Sequence, residues 1–340
     1  MSSLLRIGVI GCGYWGPNLI RNFAALDKAK VVAVGDMRPE RLNWASKNFP
    51  SVSILTPDVH EVLRHPEVDA IVIATPVSTH HPFAKEALEH GKHVLVEKPF
   101  TATSAQAEEL IAIAEAKKLK IMVDHTFVYT GAIQTIKRFI DSGQLGDLYY
   151  FDSVRVNLGL FQHDVNVIWD LAPHDVSIMD YLLGQSPRAV SATGVAHVDS
   201  HVENIAYITA FFANNLIGHI HVNWLAPVKV RKTLISGSKK MIIYDDMDPS
   251  EKVKIYDKGV DKVETPDQVY NLLIQYRTGD MHAPQIDLSE ALKKVAQEFV
   301  DCIAKDRPAL TDGHAGLRVV KILESANQSL RQFGQVVEIH

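Results

Sequence analysis

Cysteine is nearly missing from this chain. There are two in 340 residues, Cys12 in a glycine-rich loop and Cys302 in an apolar helical stretch. That excludes a disulfide-stapled scaffold and points to reduced thiols in the cytoplasm. No apolar run reaches the roughly 20 residues of a membrane helix. The start, Met1-Ser2-Ser3-Leu4-Leu5-Arg6, lacks the charged region and unbroken apolar stretch of a secretory signal. A large charge excess is missing too: the net charge of −5 gives no electrostatic case for nucleic acid or an anionic membrane as partner. There is no internal repeat and no low-complexity tract. His80 and His81 invite a metal, but no Cys, Asp or Glu completes a ligand spacing, so no metal is expected.

What is present is a globular balance, 46% hydrophobic and 22% charged. A chain of 340 residues is too long for one ordinary core, so two domains are expected. Residues 4–10, with Ile7, Val9 and Ile10, read as a strand buried on both faces. Gly11-Cys12-Gly13-Tyr14-Trp15-Gly16 follows, then a helical pattern through Leu19, Ile20 and Phe23. A second strand, Val31 to Gly35, ends at Asp36, twenty residues beyond Gly16. A glycine loop between strand and helix, with an acid at that offset, is the dinucleotide-binding fingerprint. Gly11, Gly13 and Gly16 permit the turn and bring N–H groups to a pyrophosphate; Tyr14 and Trp15 share that loop. Asp36 would accept from adenosine ribose hydroxyls and repel a 2′-phosphate, which favours NAD. Arg38 could contact such a phosphate, which keeps NADP possible.

Strands and helices alternate to residue 124, which predicts a doubly wound parallel sheet. The strand 68–74 runs into Thr75-Pro76-Val77-Ser78-Thr79-His80. Thr75, Pro76 and His80 would line the nicotinamide ribose, with His80 alternatively a helix-start residue. A fifth strand ends in Glu97-Lys98-Pro99. The residue before proline is extended, so Lys98 leaves the carboxyl end of its strand pointing forward, where open α/β sheets bind ligands. A lysine there can be desolvated and serve as an acid/base; Glu97 lies beside it. The first domain is expected at 1–125. Residues 126–340 read as an α+β domain with a large, mostly antiparallel open sheet, interrupted by a polar segment at 257–286.

The second half also holds Trp169-Asp170-Leu171-Ala172-Pro173-His174-Asp175. Proline is tolerated in the first helical turn, so a helix is expected to begin between Asp170 and Pro173. His174 could take the proton of a substrate hydroxyl while Asp170 orients it. Equally, Asp170 could be an N-cap and His174 an interface histidine.

Together the Gly11–Gly16 loop, Ala74-Thr75-Pro76, Glu97-Lys98-Pro99 and the Asp170…His174 spacing resemble the Gfo/Idh/MocA family of oxidoreductases over nearly the whole chain. The resemblance implies a Rossmann domain followed by an open-sheet domain, and assembly as homodimer or homotetramer through that sheet. It also implies that Lys98, Asp170 and His174 act at the substrate carbinol. Some branches carry Tyr where this chain has His174. Trp169–Asp175 and Tyr276-Arg277-Thr278-Gly279-Asp280 look most like members that oxidise C3 of UDP-N-acetylglucosamine-type nucleotides in surface-polysaccharide pathways, the uronate included. A uronate would need a cation, and Arg155, Arg231 and Lys232 are available; Asn157 and Asn166 are candidates for sugar hydroxyls. On this reading Lys98 and His174 converge on one carbon facing the nicotinamide. The rivals are an inositol or free-sugar dehydrogenase, a partner-dependent ketosugar reductase, and a non-catalytic NAD-binding regulator.

Overall fold

The structure, a computed structural model, describes residues 4–159, 161, 165–198, 202–262 and 274–340. The chain divides into two units, Met1–Tyr129 with Ser289–Lys321, and Thr130–Leu288 with Ile322–His340.

The first unit alternates strand and helix. In order come β1 (Leu5–Ile10), α1 (Gly16–Ala24), β2 (Ala29–Gly35), α2 (Pro39–Asn48), β3 (Ile54–Thr56), α3 (Val59–Arg64) and β4 (Ala70–Ile73). Then follow α4 (His80–Glu89), β5 (His93–Glu97), α5 (Ser104–Lys117) and β6 (Ile121–Asp124). The six strands pair in parallel in the order β3-β2-β1-β4-β5-β6. Ile7, Val9, Ile10, Ile71, Val72 and Ile73 are buried, as a sheet covered on both faces requires. Strand order reverses between β1 and β4, and ligands of such sheets bind beyond the carboxyl ends at that point. Thr103 caps α5 by accepting from the Gln106 N–H, and the Gln106 side chain accepts from Ala102 N.

The second unit holds α6 (Gly131–Asp141), β7 (Leu148–Leu158), α7 (Val167–Leu183), β8 (Ala189–Val195), β9 (Ile205–Phe211), β10 (Ile217–Asn223) and β11 (Leu225–Gly237). After them come β12 (Met241–Asp245), β13 (Val253–Lys262) and β14 (Ile274–His282). The chain returns to the first unit with α8 (Ala291–Ala304), passes through α9 (Gly313–Arg331), and ends with β15 (Val337–Glu338). The nine strands of the second sheet lie in the order β14-β13-β12-β11-β7-β10-β9-β8-β15. All neighbours are antiparallel except β7 and β10.

Three expectations need correction. The second domain does not run unbroken to residue 340, because residues 289–321 belong to the first unit. There α8 lays Phe299 edge-on against Phe23, centroids 6.1 Å apart, and Arg21 pairs with Glu290. Thr311 donates to the Val123 carbonyl and its own carbonyl accepts from Val123 N. An amphipathic pattern announces that a helix is buried, not which sheet buries it. The polar segment 257–286 contains most of β13 and all of β14; its residues 263–273 lie outside the described residues. Paired at the sheet edge, these strands keep polar side chains in water, which hides their period. Finally, α7 starts at Val167, earlier than its proline suggests: Asn166 caps it by accepting from Trp169 N at 3.3 Å. Pro173 therefore lies inside the helix, where it removes one i→i−4 bond.

The α7 helix packs on β7, β9 and β10. Gly218 of β10 permits this approach, since a Cβ there would lie 2.7 Å from the Met179 sulfur. One ion pair ties α7 to β7: Arg155 Nε donates to Asp175 Oδ2 at 2.5 Å, and Ser153 Oγ donates to Oδ1 at 2.7 Å. Their side chains are 5% and 3% exposed. Arg155, expected to meet substrate, is thus committed to the interior. Removing one partner of a buried pair typically costs about 3–5 kcal/mol, whereas apolar replacement of both is often neutral. Urea unfolding should show a loss of that size for Arg155→Met and recovery of most of it in Arg155→Met/Asp175→Leu.

Candidate active site

In the first unit the glycine loop closes on itself. Gly11 has φ +89°, and a Cβ there would sit 2.3 Å from the Ala74 carbonyl oxygen, so only glycine fits. The loop leads into α1, whose N-terminal amides can hold a phosphate. Trp15 stands at the helix N-cap; Tyr14, 85% exposed, packs edge-on against it. Asp36 follows β2 and is 5% exposed. Its Oδ2 accepts from Cys12 N at 2.7 Å and from Arg38 Nη2 at 3.0 Å. Its Oδ1 accepts from Arg38 N and Nε, both at 3.0 Å. Burial pushes this carboxyl up, but the Arg38 and Cys12 donors outweigh it and hold the pKa below its ordinary value. Burial and the Asp36 charge push the Cys12 thiol up to about 11. Arg38 is the partner of Asp36, and its guanidinium lies 3.5 Å from where a Gly13 Cβ would be. A ribose hydroxyl reaching Asp36 must therefore take over a bond that Arg38 now makes.

The turn after β4 is held by its own hydroxyls. Thr75 Oγ1 lies 2.7 Å from Thr79 Oγ1, which contacts the Pro76 carbonyl at 2.7 Å. Pro76 is exposed and Thr75 half-buried. His80 opens α4, but its ring is 1% exposed and lies between the Thr75 and Pro99 carbonyls. It serves the turns from within, not as a cofactor-facing group.

Beyond β5 and β6, four ionisable residues meet at one sheet edge: Glu97, Lys98, Asp124 and His125. Glu97 and Asp124 stand opposite in the parallel register, and their carboxyls hydrogen-bond to one another. Burial, then the Asp124 charge, raises the Glu97 pKa well above its ordinary value, with Lys98 opposing. Asp124 is raised by burial and partly relieved by Thr126, whose hydroxyl donates to it at 2.6 Å. Both carboxyls are pushed toward the protonated form, Glu97 the more strongly. The Glu97 carboxyl thus has an internal partner, where a cofactor contact was expected. His125 is 1% exposed, and its ring nitrogens have no protein partner among the described residues. Burial and the Lys98 charge push its pKa to about 3, so it is neutral. Asp124 and His125 escape sequence reasoning, although they end the strand beside Glu97-Lys98.

In the second unit Asp170 and His174 lie one turn apart on α7, a spacing that puts both on one helical face. The buried Trp224 donates its indole N–H to Asp170 Oδ2 at 3.0 Å. Phe161 packs against Trp224 at 5.4 Å. Asn157 Nδ2 and Trp224 Cδ1 both lie 3.1 Å from where a Gly159 Cβ would sit. Asn157 thus sits near the indole that holds Asp170. Asn166 is committed elsewhere, donating to Glu203 and Asn327 as well as capping α7. Nothing in the spacing announces Trp224, which lies 54 residues from Asp170.

Residues 5–125 match the oxidoreductase family with an NAD-binding Rossmann fold, and residues 133–243 match the GFO/IDH/MocA C-terminal domain. The chain belongs to the Gfo/Idh/MocA family. It is therefore an NAD-dependent oxidoreductase. An Escherichia coli oxidoreductase, YdgJ, is 30% identical over 74% of either chain. UDP-N-acetylglucosamine 3-dehydrogenase of Acidithiobacillus ferrooxidans is 28% identical over 93% of this chain and 94% of that enzyme. A solved structure of that enzyme superposes with a TM-score of 0.81 at 26% identity, covering 98% of this chain and 99% of that one. Inositol 2-dehydrogenase of Burkholderia cenocepacia is 30% identical over 58% of this chain and 61% of its own. An Agrobacterium radiobacter oxidoreductase solved with NAD+, at 18% identity, TM-score 0.82 and 99% coverage of each chain, shares the fold.

The loop and Asp36 fit the dinucleotide of this Gfo/Idh/MocA protein, and two measurements follow. A hydrogen bond to a charged acceptor is worth ~1.5–3 kcal/mol, so Asp36→Ala should weaken NAD binding roughly 10- to 100-fold. Calorimetry should show a smaller loss with NADP, because the repulsion goes with the charge. The second concerns Glu97, whose pKa the fold raises well above the ordinary value of 4.5 that it regains in the unfolded chain. The folded state then binds more protons, so this group's contribution to stability falls as pH rises from there. Glu97→Gln mimics the protonated acid; its unfolding free energy should decline less between about pH 5 and 8 than that of the natural protein. Equal slopes would mean that Glu97 is ionised.

Proposed function

We propose that this protein oxidises a secondary hydroxyl of a nucleotide-linked sugar, C3 of a UDP-N-acetylhexosamine. The observation that carries the reading is the likeness to UDP-N-acetylglucosamine 3-dehydrogenase over 93% of this chain and 94% of that enzyme. The inositol 2-dehydrogenase likeness spans 58% of the chain. The uronate is the less favoured form of the substrate. Its candidate cations already face carboxylates: Arg155 faces Asp175, Arg231 faces Asp246 and Lys232 faces Asp245.

Bound NAD supplies the hydride acceptor. The chain's own groups manage proton and charge. His174 takes the hydroxyl proton as the carbinol carbon loses its hydride, and Lys98 donates a hydrogen bond to the oxygen as negative charge develops there. Asp170, held by the Trp224 indole, orients the imidazole or a neighbouring sugar hydroxyl; Asn157 supplies a further hydroxyl contact. The compartment is the cytoplasm, in keeping with two buried, unpaired thiols. Assembly is a homodimer or homotetramer through the second sheet, whose β9–β10 face carries exposed Tyr207 and Ile217.

A positioned acid/base group typically contributes about 10²–10⁴ in rate. Lys98→Met and His174→Ala should each lose turnover on that scale while calorimetry shows NAD still bound; full turnover in His174→Ala overturns its role. The substrate test is a panel of UDP-N-acetylglucosamine, its uronate, myo-inositol and glucose with NAD, with the oxidised carbon of any product identified by NMR. Preference for myo-inositol overturns the nucleotide-sugar reading. A blank panel with tight NAD binding points to a regulatory protein on the same fold.

A further inference from the structure

We propose that His80 is a positioning residue that fastens the Thr75 turn to the Lys98–Pro99 turn through two donated hydrogen bonds, which only its doubly protonated ring can make together. The ring lies 1% exposed at the start of α4. Its Nδ1 is 2.8 Å from the Pro99 carbonyl oxygen and its Nε2 is 2.9 Å from the Thr75 carbonyl oxygen. Neither carbonyl has a proton to give. A neutral imidazole carries one N–H, and its other nitrogen is an acceptor. In either neutral tautomer one contact sets two lone pairs against each other and one turn is untied. The imidazolium donates at both ends.

The turns it would join follow β4 and β5, adjacent strands of the parallel sheet. One carries Thr75 and the other Lys98. Among charged groups, Lys98 faces the ring. The β4 turn brings hydroxyls, Thr75 and Thr79. On α4 itself the neighbouring His81 is turned to Glu109 of α5, which Lys85 also contacts. Burial and Lys98 oppose the second proton, the carbonyls of Pro99, Thr75 and Phe100 favour it, and the balance lies below the ordinary histidine value. Near neutral pH the clamp is therefore fastened at one end. A ligand that needs both turns in place draws a proton onto the ring, since the coupling of two binding equilibria is reciprocal. NAD, bound across these strand ends, is that ligand. This step rests on NAD binding at this edge and not on the sugar substrate.

The direct test is ring ¹⁵N–¹H NMR of histidine-labelled protein, free and with NAD. With NAD bound at about pH 6 the His80 ring should show two N–H groups, and at about pH 8 without NAD it should show one. One N–H in both states throughout the pH range of the folded protein overturns the proposal. A second test is calorimetry of NAD binding at neutral pH in buffers of different ionisation enthalpy. The natural protein should take up protons, and His80→Asn and His80→Gln should lose that uptake; unchanged uptake in both overturns it. The two variants also separate the arms. The Asn amide reaches as Nδ1 does, toward Pro99, and the Gln amide as Nε2 does, toward Thr75. His80→Asn should weaken NAD binding roughly tenfold with kcat better kept, and His80→Gln should show the reverse, a split that general loss of packing does not produce. Should the variants not fold, the NMR experiment decides alone. A single N–H alongside inactive Lys98→Met would end the clamp and leave the enzymatic reading standing.

Discussion

The carboxyl edge of the first sheet obeys one constraint: ionisable groups taken out of water must shed or share their charge. Glu97 and Asp124, opposite one another on β5 and β6, hold a single proton between them. The pair then carries one negative charge beside the Lys98 ammonium, where two ionised carboxylates would repel. His125, deeper still, remains neutral. With these neighbours settled, a lysine can be placed at a strand end in a partly buried setting without unbalanced charge beneath it.

The second unit solves the same problem by pairing. Arg155 and Asp175 bring opposite charges into the interior, and Ser153 occupies another lone pair of the carboxylate. Such pairs add little net stability and a good deal of geometric definition. Here the pair fastens α7 to β7, and α7 carries Asp170 and His174. The Trp224 indole adds a second restraint by holding Asp170 from β10's end of the sheet. Asp170 is thus aimed by a neighbour from outside its own helix.

Cofactor recognition shows a similar division. The glycine loop is a matter of backbone space, as the Gly11 φ and the nearby Ala74 carbonyl make plain. Asp36 is a matter of competition, because its four acceptor contacts are already occupied by Cys12 and Arg38. Arg38, which looks like a candidate for a 2′-phosphate, is restrained by its ion pair with Asp36.

Local chemistry was enough to read the strand–loop–helix of residues 5–24, the acid after β2, Lys98 before its proline and the four-residue spacing of Asp170 and His174. Each depends on backbone geometry or periodicity within a few residues, which sequence encodes directly. Tertiary structure alone decided where polar side chains spend their hydrogen bonds. It drew Arg155 to Asp175 and Asn166 to Glu203 and Asn327, buried His80 against the Pro99 carbonyl, joined Glu97 to Asp124, and returned α8 to the first unit. Those outcomes arise between residues far apart in the chain. There the cost of leaving a buried polar group unpaired outweighs any local preference, and no spacing records which partner will be near.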